Sequence, residues 1–119
     1  MSAPNSISRY VDDILLKVIS LGDCYGYNIS KTITGMTDDR WNIKEATLYS
    51  GLRRLEAEKL ISAYWGDETQ GGRRKYYTLT PEGQSSLEES IENWETTKFI
   101  LDKIFGRRAN SHEQQSASN

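Results

Sequence analysis

Ile43-Lys44-Glu45-Ala46-Thr47-Leu48-Tyr49-Ser50-Gly51-Leu52-Arg53-Arg54-Leu55-Glu56 reads as a helix. Ile61-Ser62-Ala63-Tyr64-Trp65 and Lys75-Tyr76-Tyr77-Thr78-Leu79 read as two strands, with Gly66 and Gly71-Gly72-Arg73-Arg74 between them. The helix turns Leu48, Leu52 and Leu55 to one side and leaves Lys44, Thr47, Ser50, Arg53 and Arg54 for other faces. The strands are rich in β-branched and aromatic residues, and the glycines between them make a hairpin with a long basic tip. A helix offering polar side chains to a groove, beside a hairpin tipped with arginines, is the equipment of a winged helix-turn-helix DNA binder.

Upstream, Val11, Ile14, Leu15, Val18 and Ile19 recur at helical spacing, and Gly22 stops that helix. A second helix over about residues 25–34 carries Ile29 and Ile33, with Gly35 expected to close it. Three helices separated by short turns make a helix-turn-helix core. Downstream, Thr80-Pro81-Glu82 announces another helix through a capping hydroxyl, a first-position proline and an acid in the first turn. Along it Leu87, Ile91, Trp94, Leu101 and Phe105 form a partial heptad that Lys98 interrupts, with Ile100 and Ile104 as a flanking stripe. The pattern is wider than a helix covering only its own small domain needs, and it predicts dimerisation. The competing reading is packing within one subunit.

The expected fold class is α+β, mostly α. Residues 1–6 form a disordered start, 7–80 a winged helix-turn-helix DNA-binding domain, 81–108 a C-terminal dimerisation helix and 109–119 a disordered tail. At 119 residues the chain has room for one domain. Cys24 and His112 are each the sole residue of their type, which excludes an internal disulfide and leaves no metal or cofactor site to expect. No base–nucleophile pair or phosphate-binding loop is visible, so an enzyme is not expected. No run approaches the roughly 18 apolar residues of a membrane helix, and residues 1–8 lack a signal-peptide core. The expected location is cytoplasmic, with no membrane partner.

The net charge of −2 argues at first against nucleic acid. Its distribution argues the other way. Residues 44–75 hold seven basic side chains (Lys44, Arg53, Arg54, Lys59, Arg73, Arg74, Lys75) against five acidic ones, and residues 81–119 four against seven. Local charge governs phosphate contact because the Debye length in physiological salt is only about 8 Å.

The stretch Glu45-Ala46-Thr47-Leu48-Tyr49, with Arg54-Leu55-Glu56, Leu60-Ile61, Trp65 and 72–80, resembles the PadR family of transcriptional regulators. Ile14-Leu15-Leu16 and Gly22 followed by Tyr25-Gly26-Tyr27 fit that family's opening helices. The short C-terminal segment looks like the family's small, multidrug-responsive subfamily. The resemblance spans about residues 9–105. It implies a homodimeric winged-helix protein, usually a repressor, joined by one C-terminal helix per subunit. The helix beginning near Lys44 would enter the major groove and the wing would reach the minor groove or backbone. Two positions depart from the pattern. Lys44 stands where a small capping residue is usual, a cost of about 1 kcal/mol. Lys59 stands where a glycine is usual, which costs roughly 1–2 kcal/mol if the residue is left-handed.

On this reading the DNA-binding residues are Lys44, Thr47, Tyr49, Ser50, Arg53, Arg54, Arg73, Arg74, Lys75 and Tyr25. For the tip cations the bland alternative is solubility of a hairpin, for Tyr49 packing beneath its helix, and for Arg53 or Arg54 pairing with Glu56 or Glu58. The dimer interface would take Leu87, Ile91, Trp94, Leu101 and Phe105. Multidrug-sensing members of the family hold flat aromatic compounds in a pore between subunits. By that resemblance Trp94, with Ile7, Val11, Leu15 and Asp102, would line a site for a planar aromatic effector. Trp94 as a plain interface tryptophan is the equal alternative. The expected function is a homodimeric repressor on an inverted-repeat operator in double-stranded DNA, at its own or a neighbouring promoter. A winged-helix protein-interaction module is the alternative.

Overall fold

The computed structural model describes residues 3–67 and 72–106. The expected tail 109–119, residues 1–2 of the expected disordered start, residues 107–108 of the C-terminal segment and Gly71 of the hairpin tip lie outside the described residues. A 3-10 helix, Asn5–Tyr10, leads into α1 (Val11–Ser20). There follow β1 (Cys24–Tyr25), α2 (Gly26–Met36), α3 (Glu45–Ala57), β2 (Ile61–Trp65), β3 (Lys75–Leu79) and α4 (Pro81–Phe105). The strands form an antiparallel sheet in the order β1-β3-β2, with Tyr25 opposite Tyr76 and Tyr64 opposite Tyr76 from the other side. The helix-rich α+β winged helix-turn-helix expected from the sequence is what forms.

Both boundaries of α2 differ from expectation. Tyr25 does not open α2: it is extended and pairs with β3, so α2 begins at Gly26. Two residues are too few to show an alternating pattern, which is why β1 leaves no trace in the sequence. Gly35 does not end α2, which runs on to Met36. There the Thr37 hydroxyl donates to the Ile33 carbonyl at 3.0 Å and accepts the Trp41 N–H at 3.3 Å, turning the chain toward α3.

The core gathers Leu15, Leu16 and Ile19 of α1, Ile29 and Ile33 of α2, and Leu48, Leu52 and Leu55 of α3. Ile61, Tyr77 and Leu87 complete it. α1 meets α3 at Gly51, where a Cβ would stand 2.6 Å from Leu15 Cδ1. α3 is therefore seated directly on α1.

Both ends of α3 carry the departures noted in the sequence. Lys44 is the extended N-cap residue and makes no side-chain capping bond. At the other end Lys59 has φ +64°, and the N–H groups of Lys59 and Leu60 donate to the carbonyls of Glu56 and Leu55, each at 3.0 Å. That bond pair is the Schellman pattern, in which a left-handed residue lets the chain reverse. Lysine occupies the position glycine would fill without strain.

At α4 the Thr80 hydroxyl accepts the Gly83 N–H at 3.0 Å and shares its own proton between the carbonyl oxygens of Lys59, at 2.8 Å, and Leu60, at 2.9 Å. A Cβ on Gly83 would collide with the Leu60 carbonyl oxygen. The first turns of α4 are thus clamped onto the winged domain, and the chain through Leu87 is one compact unit. Leu87, expected in the dimer seam, is 3 % exposed inside that unit's core. The close approach at Gly83 spends this heptad position within the subunit. From Glu88 onward α4 is a separate unit. Along it Ile91, Trp94, Leu101 and Phe105 are exposed, as are Ile100 and Ile104. Among the described residues no helix is long and apolar enough to cross a membrane.

Candidate nucleic-acid interface

Three elements converge on one basic cleft of about 430 Å³: the junction of β1 and α2 (Tyr25, Gly26), the side of α3 (Tyr49, Arg53) and the base of the wing (Arg74, Lys75, Tyr77). Tyr49 and Arg53 are four apart on α3 and share a flank. Tyr49 reaches its place because residue 26 has no side chain: a Cβ on Gly26 would overlap its phenol oxygen. The Tyr49 ring thus rests on α2 while 38 % of the residue stays exposed. The ring is thus packed on one side and open to solvent on the other.

The wing supplies its cations in graded degrees of restraint. The Arg74 guanidinium lies 4.6 Å from the Tyr25 ring centroid, a cation–π contact. Arg73 donates to the Gly66 carbonyl at 3.2 Å and stands 5.9 Å from the Trp65 ring. Lys75 pairs with Glu56 at 3.5 Å, linking wing to α3. Beneath them Tyr77 is 5 % exposed, and burial pushes its phenol pKa upward, with Glu56 adding to the shift.

On α3, Arg53 approaches the Ser50 hydroxyl at 3.5 Å, and Thr47 and Ser50 are half-buried on its surface. Lys44 is exposed at the helix start. Arg54 goes elsewhere: its Nε and Nη2 donate to the two carboxylate oxygens of Asp12 at 3.2 and 2.7 Å. The carboxylate raises the Arg54 pKa still further, through the hydrogen bond first and its charge second. The partner is on α1, not the Glu56 or Glu58 weighed from the sequence. Both side chains are partly solvated, so the pair contributes under about 1 kcal/mol; its consequence is geometric, fixing α3 to α1.

The residues expected around an effector are divided between the two units. Val11 and Leu15 are 3 % and 0 % exposed in the core of the winged unit, Leu15 against Gly51, so neither offers a surface to a ligand. Their i, i+4 spacing marks an apolar face but not which neighbour fills it. Ile7 is half-buried in the 3-10 helix. On α4, Trp94 is 50 % exposed and Asp102 accepts from Lys98 at 3.0 Å.

Residues 15–89 match the model of the PadR-like transcriptional regulator family. The chain belongs to that family. Members of the PadR-like family regulate transcription rather than catalyse reactions. A transcriptional regulator from Clostridium thermocellum is 46 % identical, with a TM-score of 0.77 over 84 % of this chain and 97 % of that one. An uncharacterised protein X of Lysinibacillus sphaericus is 44 % identical over 96 residues, covering 81 % of this chain and 88 % of that one. A Bacillus subtilis PadR solved in complex with operator DNA shares the fold. Its TM-score is 0.63 at 24 % identity, over 70 % of this chain and 47 % of that one.

Asp12, Asp23, Tyr64 and Tyr76 escaped the sequence reading of this PadR-like chain. Asp12 holds Arg54, and Asp23 accepts the Tyr64 hydroxyl at 2.7 Å. Each pair is more than forty residues apart in sequence, and no local spacing reveals such a partner. The tyrosines had one usable signal: Tyr64 and Tyr76 lie on the strand face opposite Ile61 and Tyr77.

Proposed function

We propose that this PadR-like regulator is a homodimeric repressor of its own or a neighbouring promoter, and that it binds an inverted-repeat operator. The observation that carries the reading is the convergence of Arg53, Arg74 and Lys75 with Tyr25 and Tyr49 in one cleft between recognition helix and wing. Cations lining a concave surface suit a phosphate backbone, and tyrosine hydroxyls supply further donors to it. The side chains of α3 between Lys44 and Arg53 then face the major groove, and Arg73 and Arg74 reach beside it. The Bacillus subtilis relative's operator complex supports the same use of the fold.

Dimerisation is supported by the second unit. Ile91, Trp94, Leu101 and Phe105 leave a large apolar surface in water on one helix, and a second copy of α4 is the partner that a heptad pattern suits. Two recognition helices related by a two-fold axis would meet half-sites about one helical turn apart. Relief by a planar aromatic compound rests on Trp94: two symmetry-related indoles would stack on a flat ligand. Such a ligand lowers operator affinity only by its preference for the arrangement with misplaced helices, about 5–150-fold for a coupling of 1–3 kcal/mol.

The test is a mobility shift of the purified protein on the DNA upstream of its own gene, at two salt concentrations. A sequence-specific shift that weakens steeply with salt is expected, since phosphate neutralisation releases counterions. No salt-dependent DNA binding, there or in a selection from genomic fragments, would replace this reading with a protein-interaction module.

A further inference from the structure

The outer face of the sheet carries one tyrosine from each strand in a single row. Tyr25, Tyr76 and Tyr64 are register partners across β1, β3 and β2, while Cys24, Tyr77 and Ala63 form the matching inner row toward the core. Tyr64 stacks on Tyr76, centroids 5.6 Å apart and planes 13° from parallel. Tyr76 meets Tyr25 edge-on at 5.5 Å and 74°. Arg74, two residues before Tyr76, lies over the free end of the row at 4.6 Å from Tyr25. At the other end the Tyr64 hydroxyl donates to Asp23 at 2.7 Å. Asp23 immediately precedes β1, so this bond passes over the central strand and ties the two edge strands together.

We propose that this row is a positioning device for DNA binding: Asp23 and Tyr64 lock the tyrosines, and the tyrosines hold the Arg74 guanidinium at the mouth of the cleft. The proposal rests on the DNA-binding reading above. A free arginine side chain loses rotamer freedom when it docks on phosphate, and a guanidinium already seated on an aromatic face loses less. Arg73 makes a useful contrast, because its ring contact is longer, at 5.9 Å to the Trp65 centroid. Asp23 stands two residues before Tyr25 on the same edge of the sheet, so its bond to Tyr64 closes the row from β2 back onto the strand that carries the Arg74 contact. The hydroxyl of Tyr64 keeps its proton across the working range, its pKa pushed up to about 12 chiefly by the bond to Asp23.

The experiment is a double-mutant cycle read by operator affinity. Tyr64→Phe keeps the ring stack and removes only the bond to Asp23. It is expected to weaken binding roughly 3- to 10-fold, the scale of one side chain's ordering cost. In an Arg74→Ala background the same change is expected to do nothing, and the thermal midpoint should hold in all variants. An equal loss in both backgrounds would show a general effect on the sheet and overturn the proposal, as would no loss in either. The two readings fail differently. Wild-type protein that binds no DNA removes the task of Arg74 and sinks both, whereas tight wild-type binding indifferent to Tyr64→Phe sinks the positioning row alone.

Discussion

Tyr49 of α3 packs against the bare backbone of Gly26 in α2, so closely that a Cβ on residue 26 would overlap the phenol oxygen. The ring contributes to the basic cleft because the first residue of the neighbouring helix is bare. Gly26→Ala should therefore drive Tyr49 out of its seat. Overpacking of this kind costs about 1–3 kcal/mol, although the ring end is partly exposed and can yield. The expected result is a modest fall in stability with a clearer fall in operator affinity. Unchanged affinity in a mobility shift would show that Tyr49 takes no part in the interface.

Gly83→Ala makes a harsher test, because the obstacle is backbone. The Leu60 carbonyl oxygen is held by the Thr80 N–H at 3.1 Å and by the Thr80 hydroxyl, and a Cβ would collide with it. Alanine gains up to about 1 kcal/mol of helix propensity. Steric displacement of α4 costs about 1–3 kcal/mol and should win. Denaturant unfolding should show the loss, and a gain in stability would mean that the helix start is not clamped as described.

Lys59→Gly should act in the opposite direction. A left-handed lysine costs roughly 1–2 kcal/mol, and glycine recovers most of that while adding freedom to the unfolded chain. A net gain of about 1 kcal/mol is expected, which shifts the midpoint of a domain this size by a few degrees upward. A lower thermal midpoint would show that the lysine side chain contributes more than its backbone costs.

Replacing Arg73 and Arg74 together by alanine should weaken operator binding by about 1–3 kcal/mol and leave the fold intact. Each lost phosphate contact should also flatten the salt dependence by about 0.9 in logarithmic slope. Filter binding across a salt series measures both quantities. Equal affinities for the variant and wild type would remove the wing from the interface.

Trp94→Ala should abolish binding of flat aromatic compounds, measured by calorimetry because the change also removes a fluorophore. Retained binding would move the pocket away from the α4 indole. A wild-type chain that binds no such compound would be a regulator without this class of effector.

Much of this protein was legible in its residue order. The period of Leu48, Leu52 and Leu55, the alternation and turn chemistry of the hairpin and the capping Thr80-Pro81-Glu82 are local signals. They determined two of the helices, the ribbon and the basic tip, because hydrophobic period and turn preference act within a few residues. The left-handed strain at Lys59 was anticipated only through the family resemblance, which puts a glycine at that position.

What only the tertiary structure decided are the partners. Leu87 carries the spacing of a dimer seam and Leu15 was placed beside an effector by resemblance, yet Leu87 joins the core beside Gly83 and Leu15 is sealed against Gly51. Arg54 is a surface cation by sequence and the partner of Asp12 by folding. The row from Asp23 through Tyr64, Tyr76 and Tyr25 to Arg74 exists only because three strands distant in sequence fall into one register. A local pattern states that a face is apolar or charged. Which surface meets it is set by how the elements close on one another, and a helix period or a strand alternation carries no record of that.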